Sequence, residues 1–250
     1  MPIMIDACLA QHQGDRKEQQ DRVAIIPHPK GGGVVLSVLA DGMGGHTGGV
    51  LAAQQVVYTA RNYLNNFSAR SESARTMLES ILQEAHMLIN GARFINAKDP
   101  HSTAVMLLLQ PGKVSWAHCG DSRLYRFHGN QLRFRSIDHS YVEHLLRQKK
   151  ITAEQALVHP NRNILVTSLG GGQAPTIDFG EAEDLQADDS FLLCSDGLWG
   201  YFSDAELGDV VARFSARMAC EKLINEARIR AGGEGDNISV AILKLAEASP

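Results

Sequence analysis

Five short apolar runs in this chain each carry an aspartate at one end or in the adjoining turn. Asp21 precedes the run 23–26, and Asp41 follows 34–40. Asp121 follows 114–118, Asp196 follows 190–194, and Asp236 precedes 237–245. Runs of this length, bounded by Gly, Pro and Asn, read as buried strands. Strands need partners, and a sheet whose turns gather along one edge brings short carboxylates together there. Two hairpins fit the same scheme. The runs 103–109 and 114–118 join across Gln110, Pro111 and Gly112, and 123–127 and 131–135 flank His128, Gly129 and Asn130.

Helical periodicity appears in blocks between these runs. The stretch 49–66 sets Ala53, Val56, Val57, Ala60 and Leu64 on one face. The stretch 73–90 does the same with Leu78, Ile81, Leu82, Ala85 and Ile89, starting at a capping Ser73 and stopping at Gly91. Shorter helices are expected at 142–149 and 152–157. A late pair spans 204–214 and 216–231, ended by Gly232 and Gly233. Strands that follow one another through short turns, with helices in blocks, predict an α+β fold of antiparallel sheets with helices packed outside. No linker or repeat divides residues 1–250, so one domain is expected.

Composition removes several function classes. The net charge is −4 and the densest basic run, 147–150, is short, so no nucleic-acid stripe is present. The four cysteines form no CxxC pair, which argues against a zinc knuckle. Cys8, Cys194 and Cys220 have apolar neighbours and are expected to be buried thiols. No segment approaches the roughly 18 apolar residues of a membrane span. The N-terminus lacks the pattern of a secretory leader, so a cytoplasmic location is expected.

The aspartates suggest the chemistry. Carboxylates held close together repel, and a cation among them favours their ionised forms. All-oxygen ligands select magnesium or manganese without deciding between them. Two such ions lower the pKa of bound water and offset charge on phosphoryl oxygens. An arginine fork matches two phosphate oxygens, and Arg16 lies shortly before Asp21. Each feature alone is weak, since an isolated Asp-Gly is usually a turn. Gly44, Gly45, Gly48 and Gly49 lack a following Gly-Lys-Ser/Thr, so they do not form a nucleotide loop. They read instead as glycines that let the backbone approach the site and enter the next helix.

In order along the chain, Asp41-Gly-Met-Gly-Gly-His46, Ala117-His-Cys-Gly-Asp-Ser-Arg-Leu-Tyr125, Asp138-His-Ser140, His159-Pro-Asn-Arg-Asn-Ile164, Leu193-Cys-Ser-Asp-Gly-Leu-Trp199 and Gly235-Asp-Asn-Ile-Ser239 resemble the type 2C-like (PPM) metal-dependent protein phosphatases. The compact length and Met43 resemble the stand-alone bacterial members. The resemblance implies an antiparallel β-sandwich with helices on both outer faces and metals in a cleft at one end. It implies that Asp41 bridges two divalent cations, Mn2+ or Mg2+, that Asp196 and Asp236 hold one, and that the Gly42 carbonyl binds the other. Asp21 would sit beside the pair, either as a ligand or by holding a metal-bound water. Bacterial relatives often bind a third ion, for which Asp121 and Asp196 match. Arg16 matches the phosphate-binding arginine, and 138–171 matches a flap involved in substrate choice.

The implied activity is hydrolysis of phosphoserine and phosphothreonine, with phosphorylated proteins and a Ser/Thr kinase as partners and a monomer as the default state. Departures from the pattern are Gln19 and Gln20 before Asp21, Gly200 where many members carry an acidic residue, and His101 where glycine is usual. Met43 stands where many eukaryotic members carry a histidine proposed as general acid, with His46 as a weak substitute on the substrate side. Met43 and Gly200 motivate a second expectation, a catalytically weak phosphoprotein-binding regulator on the same fold. Hydrolysis of small phosphorylated metabolites is a third. His118 and His139 are expected to organise hydrogen bonds, and Trp199 to anchor packing.

Overall fold

Period-two burial in the central strands dictates a two-sheet sandwich. In the computed structural model, which describes residues 3–95 and 99–247, β6 (Ala104–Gln110) is buried along nearly its whole length. Its Ala104, Met106 and Leu108 face one cluster, while Val105, Leu107 and Leu109 face another. β12 (Ile238–Glu247) divides likewise, with Ile238, Val240 and Ile242 outward and Ala241, Leu243 and Leu245 inward. A strand apolar on both faces must lie between two layers. The inward sets form one core between the sheets, and the outward sets each need a helical layer.

Those layers are present. One sheet runs β10 (Asp178–Ala182), β7 (Lys113–Cys119), β6, β3 (Val35–Ala40), β2 (Arg22–Pro27). The other runs β1 (Ile3–His12), β12, β11 (Asp189–Cys194), β8 (Arg123–His128), β9 (Gln131–Arg135). Neighbouring strands are antiparallel throughout. Helices α1 (His46–Asn66) and α2 (Ala74–Ile95) cover the first sheet through Val56, Ala60, Leu78 and Leu82. Helices α6 (Asp204–Arg213) and α7 (Ala216–Ala231) cover the second through Leu207, Val211, Cys220 and Leu223. This is the expected α+β sandwich. Each fully buried Leu, Ile or Phe contributes about 1.5–3 kcal/mol, which makes this four-layer burial the main stabilising term.

Local chemistry sets the ends. α6 begins with a reciprocal Ser203–Glu206 capping box, and Ser215 caps α7, which closes on Gly232 in the left-handed region. Segment 138–171 leaves the second sheet after β9 and holds α3 (Tyr141–Arg147) and α4 (Ala153–Leu157). A two-stranded ribbon, β4 (Gly42–Met43) with β5 (His101–Ser102), lies beside α1.

Several expectations needed correction. β1 and β10 were not anticipated; both are edge strands, half exposed, so their apolar pattern is diluted. α2 does not stop at Gly91 but continues to Ile95, since a glycine inside a helix only weakens it. α1 begins at His46 rather than Gly49. Asp196–Trp199 forms a short helix, α5, instead of a plain turn. Cys8 is only half-buried, because β1 is an edge strand, whereas Cys119, Cys194 and Cys220 are buried free thiols.

Candidate active site

Antiparallel pairing determines which strand ends meet. Asp21 enters β2 beside Asp41, which leaves its partner β3. Asp236 lies just before β12, next to the exit of β11 where Asp196 opens α5. Asp121 follows β7. These ends share one edge of the sandwich. There, a cleft of about 460 Å³ is lined by Arg16, Asp41, Gly42, Met43, Asp121, Asn163, Leu165, Asp196, Asp236 and neighbouring residues.

The backbone of Asp41 and the carboxylate of Asp21 are held from behind. The Thr103 amide donates to the Asp41 carbonyl at 2.8 Å, and the Asp41 amide donates to Thr103 Oγ1 at 3.0 Å. Asp21 is 1% exposed; its Oδ2 accepts from Ser195 Oγ at 2.8 Å, while its Oδ1 has no hydrogen-bond partner. Committed to Asp21, the Ser195 hydroxyl makes no cap to α5. Asn237 ties down the loop before β2, donating to the carbonyls of Gln13 and Glu18 and accepting from the Gln20 amide. Gly42 and Gly49 allow the closest approach: a Cβ on Gly42 would lie 2.0 Å from the Gly49 carbonyl oxygen. Two glycines are needed for α1 to meet β4 backbone to backbone.

The electrostatics are those of an acidic cluster with few donors. Burial, then the charges of Asp21 and Asp196, pushes the Asp41 carboxyl well above the usual range. Burial, then Asp121 and Asp236, does the same to Asp196. Asp121 is pushed up to about 7, chiefly by burial and next by Asp138. Asp21 is pushed up to about 6 by burial, against the opposing hydrogen bonds of Ser195 and Ser239. Arg16 pairs with Asp236 at 2.5 Å, which raises its pKa further. An acceptor-rich set of hard oxygens, mutually repelling and with one Oδ1 unpartnered, fits divalent cations.

Residues outside the expected ligand set also have defined places. Asn163 and Leu165 reach the cleft wall from segment 138–171. Asn163 belongs to the 159–164 motif that carries the resemblance, whereas apolar Leu165 gave no signal in the sequence. Gly200 ends α5 and is exposed, outside the cleft lining. His101 links Asp99 at 3.1 Å to Ser168 Oγ at 3.2 Å, which accounts for a histidine there. The side chain of His46 lies outside the described residues.

His118, His139 and Asp178 form a second group with possible ligand atoms within 4.8 Å of one another. One hydrogen bond to the backbone fixes the tautomer of each ring. His118 Nε2–H donates to the Ile137 carbonyl at 2.9 Å. His139 Nδ1 accepts from the Gly120 amide at 3.2 Å, which leaves its proton on Nε2, facing Asp178 at 3.4 Å. A protonated nitrogen cannot ligate a metal, which removes His139 from the group; the bare Nδ1 of His118, which has no hydrogen-bond partner, and Asp178 remain.

A sandwich with clustered carboxylates at one end and an arginine at the mouth defines a metal-dependent hydrolase of phosphate esters. Residues 10–228 match the family model for protein phosphatase 2C, and the chain belongs to that family. A serine/threonine phosphatase of Listeria welshimeri is 33% identical over 215 residues, covering 83% of each chain. The Streptococcus agalactiae serine/threonine phosphatase structure superposes with a TM-score of 0.88 at 27% identity, covering 98% of this chain and 100% of that one. The catalytic domain of the phosphatase PstP, solved in complex with two manganese ions, shares the fold with a TM-score of 0.83 at 24% identity, covering 98% and 100%. By family and site together, the chain is a metal-dependent protein phosphatase.

Proposed function

We propose that the cleft hydrolyses phosphoserine and phosphothreonine in proteins, with Asp41, Asp196, Asp236 and the Gly42 carbonyl holding two divalent cations. Asp21 stands beside that pair, and Asp121 with Asp196 offers a third, weaker place. The observation that carries this reading is the convergence of four carboxylates from separate strand ends, Asp41, Asp121, Asp196 and Asp236, on one cleft that also holds Arg16, with Asp21 buried behind them. Manganese and magnesium both suit the donor set. When bound, such ions lower the pKa of water at the site and offset charge on the phosphoryl oxygens.

The chain's own residues do the rest. Asp41, anchored by Thr103, is fixed at the centre of the cluster. Ser195 and Asn237 hold Asp21 and the 13–20 loop in register with Asp236. Arg16 exchanges Asp236 for two phosphate oxygens, orienting the ester through its planar fork. Met43 lines the cleft and has no proton to give, so it contributes bulk and not acid catalysis. Segment 138–171, with Asn163 and Leu165 on the cleft wall, acts as a flap that meets the protein part of the substrate. A Ser/Thr kinase and its targets are the partners this reading implies, for a monomer acting in the cytoplasm; among the described residues no helix is long and apolar enough to cross a membrane.

The test is phosphate release from a phosphothreonine peptide with manganese, then with excess EDTA. Release should require the metal, and Asp41→Asn and Asp196→Asn should each lower kcat/KM by about a hundredfold or more. Full activity in either variant, or release that survives EDTA, refutes the assignment.

A further inference from the structure

Arg123 opens β8 two residues after Asp121, and its side chain is 15% exposed. Every part of its guanidinium is engaged. Nε and Nη2 donate to the two carboxylate oxygens of Asp138 at 2.8 and 2.7 Å, and Nη1 donates to the Tyr125 hydroxyl at 3.2 Å. Its plane lies over the Trp199 ring at 3.6 Å. A buried guanidinium is costly unless it is paired and hydrogen-bonded in this way.

Both partners lead back to the cleft. The Trp199 Nε1–H donates to the Asp121 carbonyl at 2.9 Å, and Trp199 is the last residue of α5, whose first is Asp196. The guanidinium–indole pair therefore sits between the backbone of one cleft aspartate and the helix that carries another. Asp138 is the first residue of segment 138–171. Its neighbour His139 makes a reciprocal pair with Gly120: its amide donates to the Gly120 carbonyl at 2.9 Å and its Nδ1 accepts the Gly120 amide. The returning end of the segment closes on the same root, where the Val166 amide donates to the His139 carbonyl and Ser140 bridges Leu165. Leu165 and Asn163 then reach the cleft wall.

We propose that Arg123 is a positioning residue with two separable outputs, resting on the reading of this cleft as the phosphatase site. Through Trp199 it fixes the Asp121 turn against Asp196. Through Asp138 it seats the root of segment 138–171, and with it Asn163 and Leu165. Lysine cannot replace it, because a single ammonium lacks both the fork and the stacking plane.

The experiment uses the full chain with Trp199→Phe, Asp138→Asn and Arg123→Lys, assayed on p-nitrophenyl phosphate and on a phosphothreonine peptide, with Mn2+ binding followed separately by calorimetry. Trp199→Phe keeps an aromatic plane and loses the donor to Asp121. It should weaken the Mn2+ site of lowest affinity by about tenfold, with the ratio of peptide to small-ester KM unchanged. Asp138→Asn should raise KM for the peptide by about tenfold while KM for the small ester stays within about twofold. Arg123→Lys should show both effects. Equal losses on both substrates in every variant, with unaltered Mn2+ binding and a lowered Tm, would mean that the ion pair is structural only and would overturn the proposal. Should Arg123→Lys not fold, the split between the other two variants decides. A wild-type protein that releases no phosphate refutes the phosphatase reading instead, and the calorimetric shift in Trp199→Phe still decides the metal-side output.

Discussion

Replacing Asp21 by Asn should stabilise the metal-free protein, although Asp21 stands directly behind the cleft. Asp21 is 1% exposed, and its carboxyl rises from 3.8 to about 6 on folding, chiefly through burial. At about 1.4 kcal/mol per pH unit, that displacement costs about 3 kcal/mol of folding free energy at pH 8. The sign follows from proton binding. The folded state holds the proton more tightly than the unfolded state, so the penalty is absent below 3.8, grows through the window, and is complete above about 6. Asparagine removes the charge and can still accept from Ser195, which now contacts Oδ2 at 2.8 Å. Its amide nitrogen would fall where Oδ1 lacks a partner, a loss of about 1 kcal/mol. The net gain is about 2 kcal/mol, or about 4–8 °C in Tm for a chain of this size. Thermal unfolding in EDTA at pH 8 and pH 4 reads it directly. The gain should appear at pH 8 and give way to a small loss at pH 4, where the charge penalty is nearly gone and the unpartnered amide remains. Added manganese should reverse the order, since the variant has lost an acceptor from the cation set. A Tm that falls in EDTA at pH 8, or that shifts equally at both pH values, refutes the reasoning.

Two further outcomes follow from the same geometry. Arg16→Ala should lower kcat/KM on a phosphothreonine peptide by about ten- to hundredfold, the worth of a charge-assisted hydrogen bond, and mainly through KM. An unchanged KM would place the phosphate elsewhere. Gly42→Ala introduces a Cβ 2.0 Å from the Gly49 carbonyl oxygen and should cost about 1–3 kcal/mol by forcing α1 away from β4. A Tm equal to that of the wild type would contradict the backbone-to-backbone contact.

The central strands were readable along the chain because they are apolar on both faces. β3, β6, β7, β11 and β12 gave runs that no polar residue interrupts for long, and short turns between them implied antiparallel pairing. Of the edge strands, β2 and β9 were readable and β1 and β10 were not. β10 is Asp-Phe-Gly-Glu-Ala, and its Gly180 leaves room for the Trp116 ring, which a Cβ would meet at 2.3 Å. That requirement comes from a residue 64 positions away and leaves no local trace. Gly91 misled for the complementary reason: a glycine weakens a helix by about 1 kcal/mol, and packing of α2 on the sheet outweighs that.

The candidate site divides in the same way. Residue types and order sufficed to single out Asp21, Asp41, Asp121, Asp196, Asp236 and Arg16, because carboxylates beside strand ends are visible in a linear pattern. What the linear pattern could not contain is contact. Only the paired register of the two sheets puts the entry of β2 beside the exit of β3, and the entry of β12 beside the exit of β11. Only the folded chain makes Ser195 a partner of Asp21 across 174 residues, or joins Arg123 to Trp199 and Asp138. Hydrophobic periodicity is local and survives in the sequence; hydrogen-bond partnership between distant turns is created by packing, and exists nowhere else.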